Sequence, residues 1–201
     1  LLDYEVVAEY PHSTESYTQG LQYVDGTMWE GTGQKGESQL HTVELTSGKV
    51  TPIHRLNSDH FGEGITHLNG RIYQLTWMDN IAYVYDTKGN FIKHIPYVGE
   101  GWGITTDGEK LYMSDGTSTI RQVNPETFAT EKSICVTLNG EPLHMLNELE
   151  WINGHIWANV YLTDAIVEID PETGVVVGFI DLTELRDRLY KNPEAEALNG
   201  I

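Results

Sequence analysis

Five times along the chain a polar or aromatic residue is followed by Gly or Glu and then by Leu or Ile. These are Gln19 in "YTQGL", Glu63 in "FGEGI", Trp102 in "GEGWGI", Asn147 in "MLNEL" and Asn199 in "ALNGI". In the first four the text runs on to a D-G or N-G turn and an aromatic strand residue, as in "YVDGTMW" and "WINGHIW". Successive starts lie roughly 40 to 50 residues apart, a period that belongs to arrays of one supersecondary unit. Between the starts, short segments such as "IAYVYD" and "AIVEID" alternate with period two and end in the turn clusters "DTKGN", "NPETF" and "DPETG". Four short strands per period, without sustained helical periodicity, predict an all-β fold: a five-bladed β-propeller.

The 201 residues fit one domain, 1–201, with the last blade incomplete at Ile201. One stretch departs from the strand pattern. In "DLTELRDRLYKNPEAEA", Leu182, Leu185 and Leu189 recur at helical spacing after Asp181, a capping residue, which predicts one short helix inserted before the last blade. The segment "YEVVAEYP", residues 4–11, is expected to supply the outer strand of that blade and so close the ring. Its middle strands are expected from a C-terminal piece, because a ring without them would carry unpaired sheet edges.

Blades arranged this way bring the starts of their inner strands to one mouth of a central channel. Glu63 then faces Gln19, Trp102, Asn147 and Asn199. A purely structural ring would repeat one small or apolar residue, whereas these positions differ, as they do in a site. Trp77 in "QLTWMD" and Tyr161 in "ANVYLTD" follow on the next strand. Aromatic walls dehydrate a carboxyl group and raise its pKa toward neutrality, where general acid–base work is most efficient. The alternative is that Glu63 caps a turn at the wet end of the ring.

Thirty acidic against twelve basic residues, a formal charge of -18, argue against nucleic acid and anionic lipid as partners. No apolar run approaches the roughly 18 residues of a membrane span. Cys135 stands alone, so no intramolecular disulfide or thiolate cluster can form; it reads as a small buried hydrophobe. The eight histidines form no H-x-H or H-E-x-x-H pair and read as surface or turn residues. Asp79, Asp115 and Asp164 recur after second strands. They are turn residues or, alternatively, a ring for a structural calcium; no other cofactor is expected. Trp29, Trp151 and Trp157 read as packing between blades.

The strings "YTQGL", "FGEGIT", "LTW", "GEGWGIT" and "LNELEWINGHIWANVYLTD" resemble the glutamine cyclotransferase family, the plant and bacterial type of glutaminyl-peptide cyclotransferase, from about Tyr4 to Ile201. The resemblance implies a five-bladed propeller that converts N-terminal glutamine of peptides or proteins into pyroglutamate, with release of ammonia and no catalytic metal. It places the catalytic acid at Glu63, substrate-binding amides at Gln19 and Asn147, and an aromatic wall at Phe61, Trp77 and Trp102. Tyr161 stands where some members have tryptophan. The family's lysine, in a "G-K-x-W-P" segment, has no counterpart in this sequence. Secretion or a periplasmic location, with a leader removed, and a monomeric state are further expectations.

The chemistry fits these residue types. The substrate α-amine, of ordinary pKa about 7.7–8.0, must lose a proton and attack its own side-chain amide, and the departing nitrogen must gain one. One carboxyl of near-neutral pKa can shuttle both, while amides can hold the substrate amide and the developing oxyanion. A second reading is a non-catalytic propeller that binds a protein or glycan through its loop face. A third, a calcium-dependent lactonase-like hydrolase, is disfavoured by the single acid among the anchors.

Overall fold

Four antiparallel meanders of four strands follow one another in the computed structural model, which describes residues 1–189 and 196–201. The first comprises β1 (Thr18–Val24), β2 (Thr27–Thr32), β3 (Gln39–Glu44) and β4 (Lys49–Arg55). The second holds β5 (Gly62–Leu68), β6 (Arg71–Thr76), β7 (Ile81–Asp86) and β8 (Phe91–Pro96). In the third are β9 (Ile104–Thr106), β10 (Leu111–Met113), β11 (Thr119–Val123) and β12 (Thr130–Cys135). A two-stranded hairpin that the repeat did not foretell, β13 (Thr137–Leu138) with β14 (Glu141–Pro142), leads to the fourth sheet. That sheet is β15 (Leu146–Ile152), β16 (His155–Val160), β17 (Ala165–Ile169) and β18 (Val176–Asp181).

The turn chemistry sets these hairpins. Asp25-Gly26, Asn69-Gly70 and Asn153-Gly154 each adopt positive φ at both residues, the twist that suits a two-residue hairpin loop. In the third sheet only Gly108 of the D-G pair does so. Strand alternation then feeds two seams at once. On β7, Ala82 and Val84 enter the seam with the third sheet, and Tyr83 and Tyr85 enter the seam with the first. A third seam, built on Ile120, Leu146, Leu149, Ile156 and Val167, joins the third and fourth sheets. Each buried aliphatic or aromatic side chain contributes roughly 1.5–3 kcal/mol, so the sheets are held face to face by three apolar layers. The arrangement is a β-propeller, with four blades formed among the described residues.

The inner strands pack more closely than side chains would permit. A Cβ built on Gly20 would lie 2.4 Å from Ile65 N, one on Gly64 would lie 2.8 Å from Trp102 O, and one on Gly103 would lie 2.1 Å from Asn147 O. Each glycine therefore lets one inner strand rest on the backbone of the next. The fourth place in this series is Glu148, 1% exposed on β15, whose carboxyl is buried. Burial, and then Glu150, push that carboxyl well above its usual range.

Several expectations are corrected. Residues 4–11 form no strand; the N-terminal segment touches the fourth sheet through Leu2 N–H to Phe179 O, 2.8 Å. The predicted helix exists as α1 (Thr183–Leu189), with Asp181 Oδ1 accepting from Thr183 N–H at 2.9 Å; residues 190–195 of that stretch lie outside the described residues. Cys135 is exposed, because alternation on the outermost strand β12 turns its neighbours Ile134 and Val136 inward. Not every histidine is at the surface. His67 is partly buried, with Nδ1 2.7 Å from Gln22 Oε1, and burial pushes it down to about 4. His41 is fully buried, with Nε2 2.6 Å from Glu30 Oε2.

Glu30 also receives His12 Nε2 at 2.8 Å and the Thr18 hydroxyl at 2.6 Å, which ties the strap ahead of β1 to the first blade. Burial alone would raise this carboxyl, yet the three donors outweigh it and hold the pKa at about 2. A depressed carboxylate stabilises above its ordinary pKa, and that contribution fades as pH falls toward 2. At neutral pH it is on the order of 2–3 kcal/mol. Urea midpoints of the wild type should therefore rise steeply between pH 2 and pH 5, and Glu30→Gln should flatten that rise; parallel curves would refute the account. Gly103→Ala should lower the midpoint at all pH values, by roughly 1–3 kcal/mol or more, because the atoms in its way are backbone.

Candidate active site

At three of the inner strands the ladder slips just where an anchor stands. Thr18 pairs with Thr32 and Gly20 with Gly31; Gly62 pairs with Thr76 and Ile65 with Gln74; Leu146 pairs with Val160 and Leu149 with Ala158. In each case the inner strand carries one extra residue, a β-bulge, and a bulge re-aims side chains away from the regular pleat. Gln19, Glu63 and Asn147 lie within the three bulges. Trp102 precedes β9, while Trp77 and Tyr161 come directly after β6 and β16.

Seven of the residues singled out from sequence line one cavity of about 230 Å³, Gln19, Phe61, Glu63, Trp77, Trp102, Asn147 and Tyr161, while the fifth anchor, Asn199, does not. Tyr17 and Gln34, which sequence reasoning passes over, complete the lining. Glu63 is 6% exposed and its carboxyl has no hydrogen-bond partner among the described residues, so it does not cap a turn in water. Burial, and secondarily the charge of Glu100, push its pKa well above the ordinary carboxylate range. The walls are aromatic and mutually edged. Phe61 meets Trp77 at 5.6 Å and Tyr17 at 6.2 Å, and Trp102 meets Tyr161 at 5.6 Å.

Glu100 is a second omission of the sequence reading. Its Oε2 accepts both indole N–H groups, from Trp77 and Trp102, at 2.8 Å each. Arg121 fastens the loop that carries it, donating to Val98 O at 2.7 Å and to Glu100 O at 3.2 Å. A signal for Tyr17 and Glu100 does exist in the sequence. Tyr17, Phe61 and Glu100 each stand two residues before an anchor, a second repeated position. Gln34 lies in the loop after β2 with φ of 80°, a conformation that residue patterns do not announce. Tyr17 donates to Glu196 Oε2 at 2.9 Å; burial, and then that bond, push its hydroxyl up to about 12.

The polar half of the cavity is a chain of amides. Asn147 Nδ2 donates to Asn199 Oδ1 at 3.2 Å, and Asn199 Nδ2 donates to Gln19 Oε1 at 3.2 Å and to Thr18 O at 3.0 Å. The aspartates considered for calcium are engaged separately. Asp79 accepts from Phe61 N–H, Asp115 from Thr117, and Asp164 from Arg186. Among the described residues no three His, Cys, Asp or Glu side chains are grouped as a metal-ligand set. No helix among them is long and apolar enough to cross a membrane.

Fold and site together define a class: a β-propeller whose channel mouth holds one buried, protonatable carboxyl between aromatic walls and amides. The comparisons give the family. The glutamine cyclotransferase family model matches residues 1–201, and the chain belongs to that family. It is 40% identical over 203 residues to a glutaminyl-peptide cyclotransferase of Arabidopsis thaliana, covering 98% of this chain and 63% of that protein's length. It superposes on the crystal structure of Myxococcus xanthus glutaminyl cyclase with a TM-score of 0.90 and 37% identity, over 98% of this chain and 85% of the other. The WD40 β-propeller domain of Doa1 matches at a TM-score of 0.51 and 18% identity, over 80% of this chain and 53% of the other, a likeness of fold alone.

The state of Glu63 has a consequence for stability. A carboxyl whose folded pKa is raised opposes folding once the unfolded chain ionises, so the cost appears as pH climbs above about 4.3. Glu63→Gln should therefore raise the melting temperature by several degrees at pH 8, corresponding to roughly 1–3 kcal/mol, and leave it unchanged at pH 4. Calorimetry at both pH values checks this; a melting temperature lowered at pH 8 would show that the ionised group is stabilising.

Proposed function

We propose that the chain is the propeller of a glutaminyl-peptide cyclotransferase, acting on peptides or proteins that begin with glutamine. One observation carries the reading: Glu63, the only carboxyl lining the cavity among the described residues, is buried and shares that cavity with aromatic rings and the side-chain amides of Gln19, Gln34 and Asn147. Family membership supports it. The chain spans 63% of the length of its Arabidopsis relative, so a fifth blade completed by further sequence belongs to the same proposal.

Cyclisation joins the substrate α-nitrogen to its own side-chain amide carbon and expels the amide nitrogen as ammonia. In this scheme Glu63 takes the proton from the amine as the new bond forms and returns it to the departing nitrogen, so no net proton is gained or lost. A carboxyl pKa raised by burial suits both transfers. Phe61, Trp77, Trp102 and Tyr161 fold the flexible glutaminyl side chain toward its amine, the larger part of the barrier to an intramolecular step. Gln19 and Asn147 hold the amide and the oxyanion. A net charge of -18 steers a cationic peptide terminus toward the molecule. The reaction is written without a metal, for a monomer in a secreted or periplasmic setting.

Mass spectrometry of a synthetic peptide with N-terminal glutamine, incubated with the complete protein with and without chelator, tests the reading. Loss of one ammonia is expected, unaffected by chelator and slowed by on the order of 10²–10⁴-fold in Glu63→Gln. A folded, complete wild type that leaves the peptide intact would sink the catalytic reading in favour of a binding propeller. Sensitivity to chelator would sink the metal-free scheme alone.

A further inference from the structure

Among the five repeated anchors, Asn199 alone does not line the cavity formed by the described residues. Its side chain instead lies between two that do, and a backbone atom fixes which way it points. Thr18 O is a carbonyl and can only accept, so the Asn199 atom 3.0 Å away is the nitrogen Nδ2. That same Nδ2 reaches Gln19, which must therefore present its oxygen, Oε1, to Asn199. On the other side Asn199 has only its oxygen left, so Asn147 must offer its nitrogen. The asparagine is held in register by its own chain, since Gly200 N–H donates to Asn159 Oδ1 at 3.0 Å, and Asn159 is buried on β16.

The remaining ends of the two amides follow by elimination. Gln19 keeps both protons of Nε2, and Asn147 keeps Oδ1; neither atom has a hydrogen-bond partner among the described residues. We propose that Asn199 is a positioning residue that sets opposite polarities on two neighbouring amides, so that Gln19 presents donors to the cavity and Asn147 presents an acceptor. The inference rests on the cyclotransferase reading, whose reaction needs both. The amide oxygen of the substrate becomes an oxyanion as the ring closes and calls for donors. The amide nitrogen carries protons throughout and calls for an acceptor. Were Gln19 turned over, its carbonyl would face the developing negative charge.

Asn199→Asp tests the assignment, because aspartate still accepts from Asn147 but cannot donate to Gln19 Oε1. Gln19 is then expected to rotate, giving Nε2 to the introduced carboxylate and its carbonyl to the cavity. With a glutaminyl peptide, kcat should fall on the order of 100-fold with KM changed less than about threefold, the size of loss typical of one oxyanion donor. Asn199→Ala, which leaves Gln19 free to turn either way, should lose less, about tenfold. Gln19→Ala should match the loss in Asn199→Asp, and the double variant Asn199→Asp with Gln19→Ala should lose no more than either single, since no amide remains to be turned. Losses that multiply in the double variant, or a kcat within threefold of wild type in Asn199→Asp, would overturn the proposal.

A readout free of turnover separates this outcome from failure of the cyclotransferase reading. In isotope-labelled wild type, the side-chain Nε2 protons of Gln19 should show nuclear Overhauser contacts to the aromatic rings of the cavity, and those contacts should vanish in Asn199→Asp. A wild type that releases no ammonia would sink the functional reading even if the contacts are present. Contacts unchanged in Asn199→Asp would sink the positioning role whatever the activity.

Discussion

Everything at the channel mouth depends on how near the inner strands come to one another. Gly20, Gly64 and Gly103 have no Cβ, and the backbone of the next blade occupies the space a Cβ would need. Close approach draws the strand starts into a ring narrow enough for Gln19, Glu63, Trp102 and Asn147 to share one small cavity. The raised carboxyl, the walls edged against one another and the amide chain all sit on inner strands that these glycines let approach so closely. The seams of apolar side chains farther out hold the blades face to face but do not by themselves determine that radius.

The bulges add direction to that closeness. A regular strand would alternate Gln19 or Glu63 with its neighbours across the pleat and send one of each pair into a seam. One extra residue per inner strand breaks the alternation where the chain reaches the mouth, and the polar side chain is released into the cavity. Fold and site therefore make opposite demands on the same few residues. Glu63 is a buried carboxyl without a partner among the described residues, a poor choice for stability, whereas Glu30, also buried, accepts from His12, His41 and Thr18 and is held ionised. Two buried carboxyls have been driven in opposite directions: burial and the charge of Glu100 raise Glu63, while the donors from His12, His41 and Thr18 outweigh burial at Glu30.

Much of this is legible in the sequence, because the anchors and hairpin turns repeat and repetition converts position along the chain into position around a ring. The seven lining residues follow from that mapping together with the family resemblance. What the sequence conceals is contact across long separations and the detail of loops. Nothing near Glu30 announces that His12 and His41 will meet on it. Glu100 reads as a loop acid until two indoles are seen to share it. Residues 4–11 have the alternation of a strand, but a strand needs a partner edge, and none among the described residues takes them in. Cys135 departs from expectation for a simpler reason: alternation through "SICVTL" places Ile134 and Val136 inward and so turns the cysteine out.

The hydrogen bond between Asn199 and Gln19 joins residues 180 positions apart. Contacts of such separation form late, since the loop they close costs the most chain entropy. The three seams between successive blades need only neighbouring stretches of sequence and can be in place beforehand. A partly folded chain would thus own its aromatic walls and its acid while its two amides still rotate freely. The pocket acquires its sense of direction, donor on one side and acceptor on the other, only when the two ends of the ring meet, which makes chemical competence a report on completed folding.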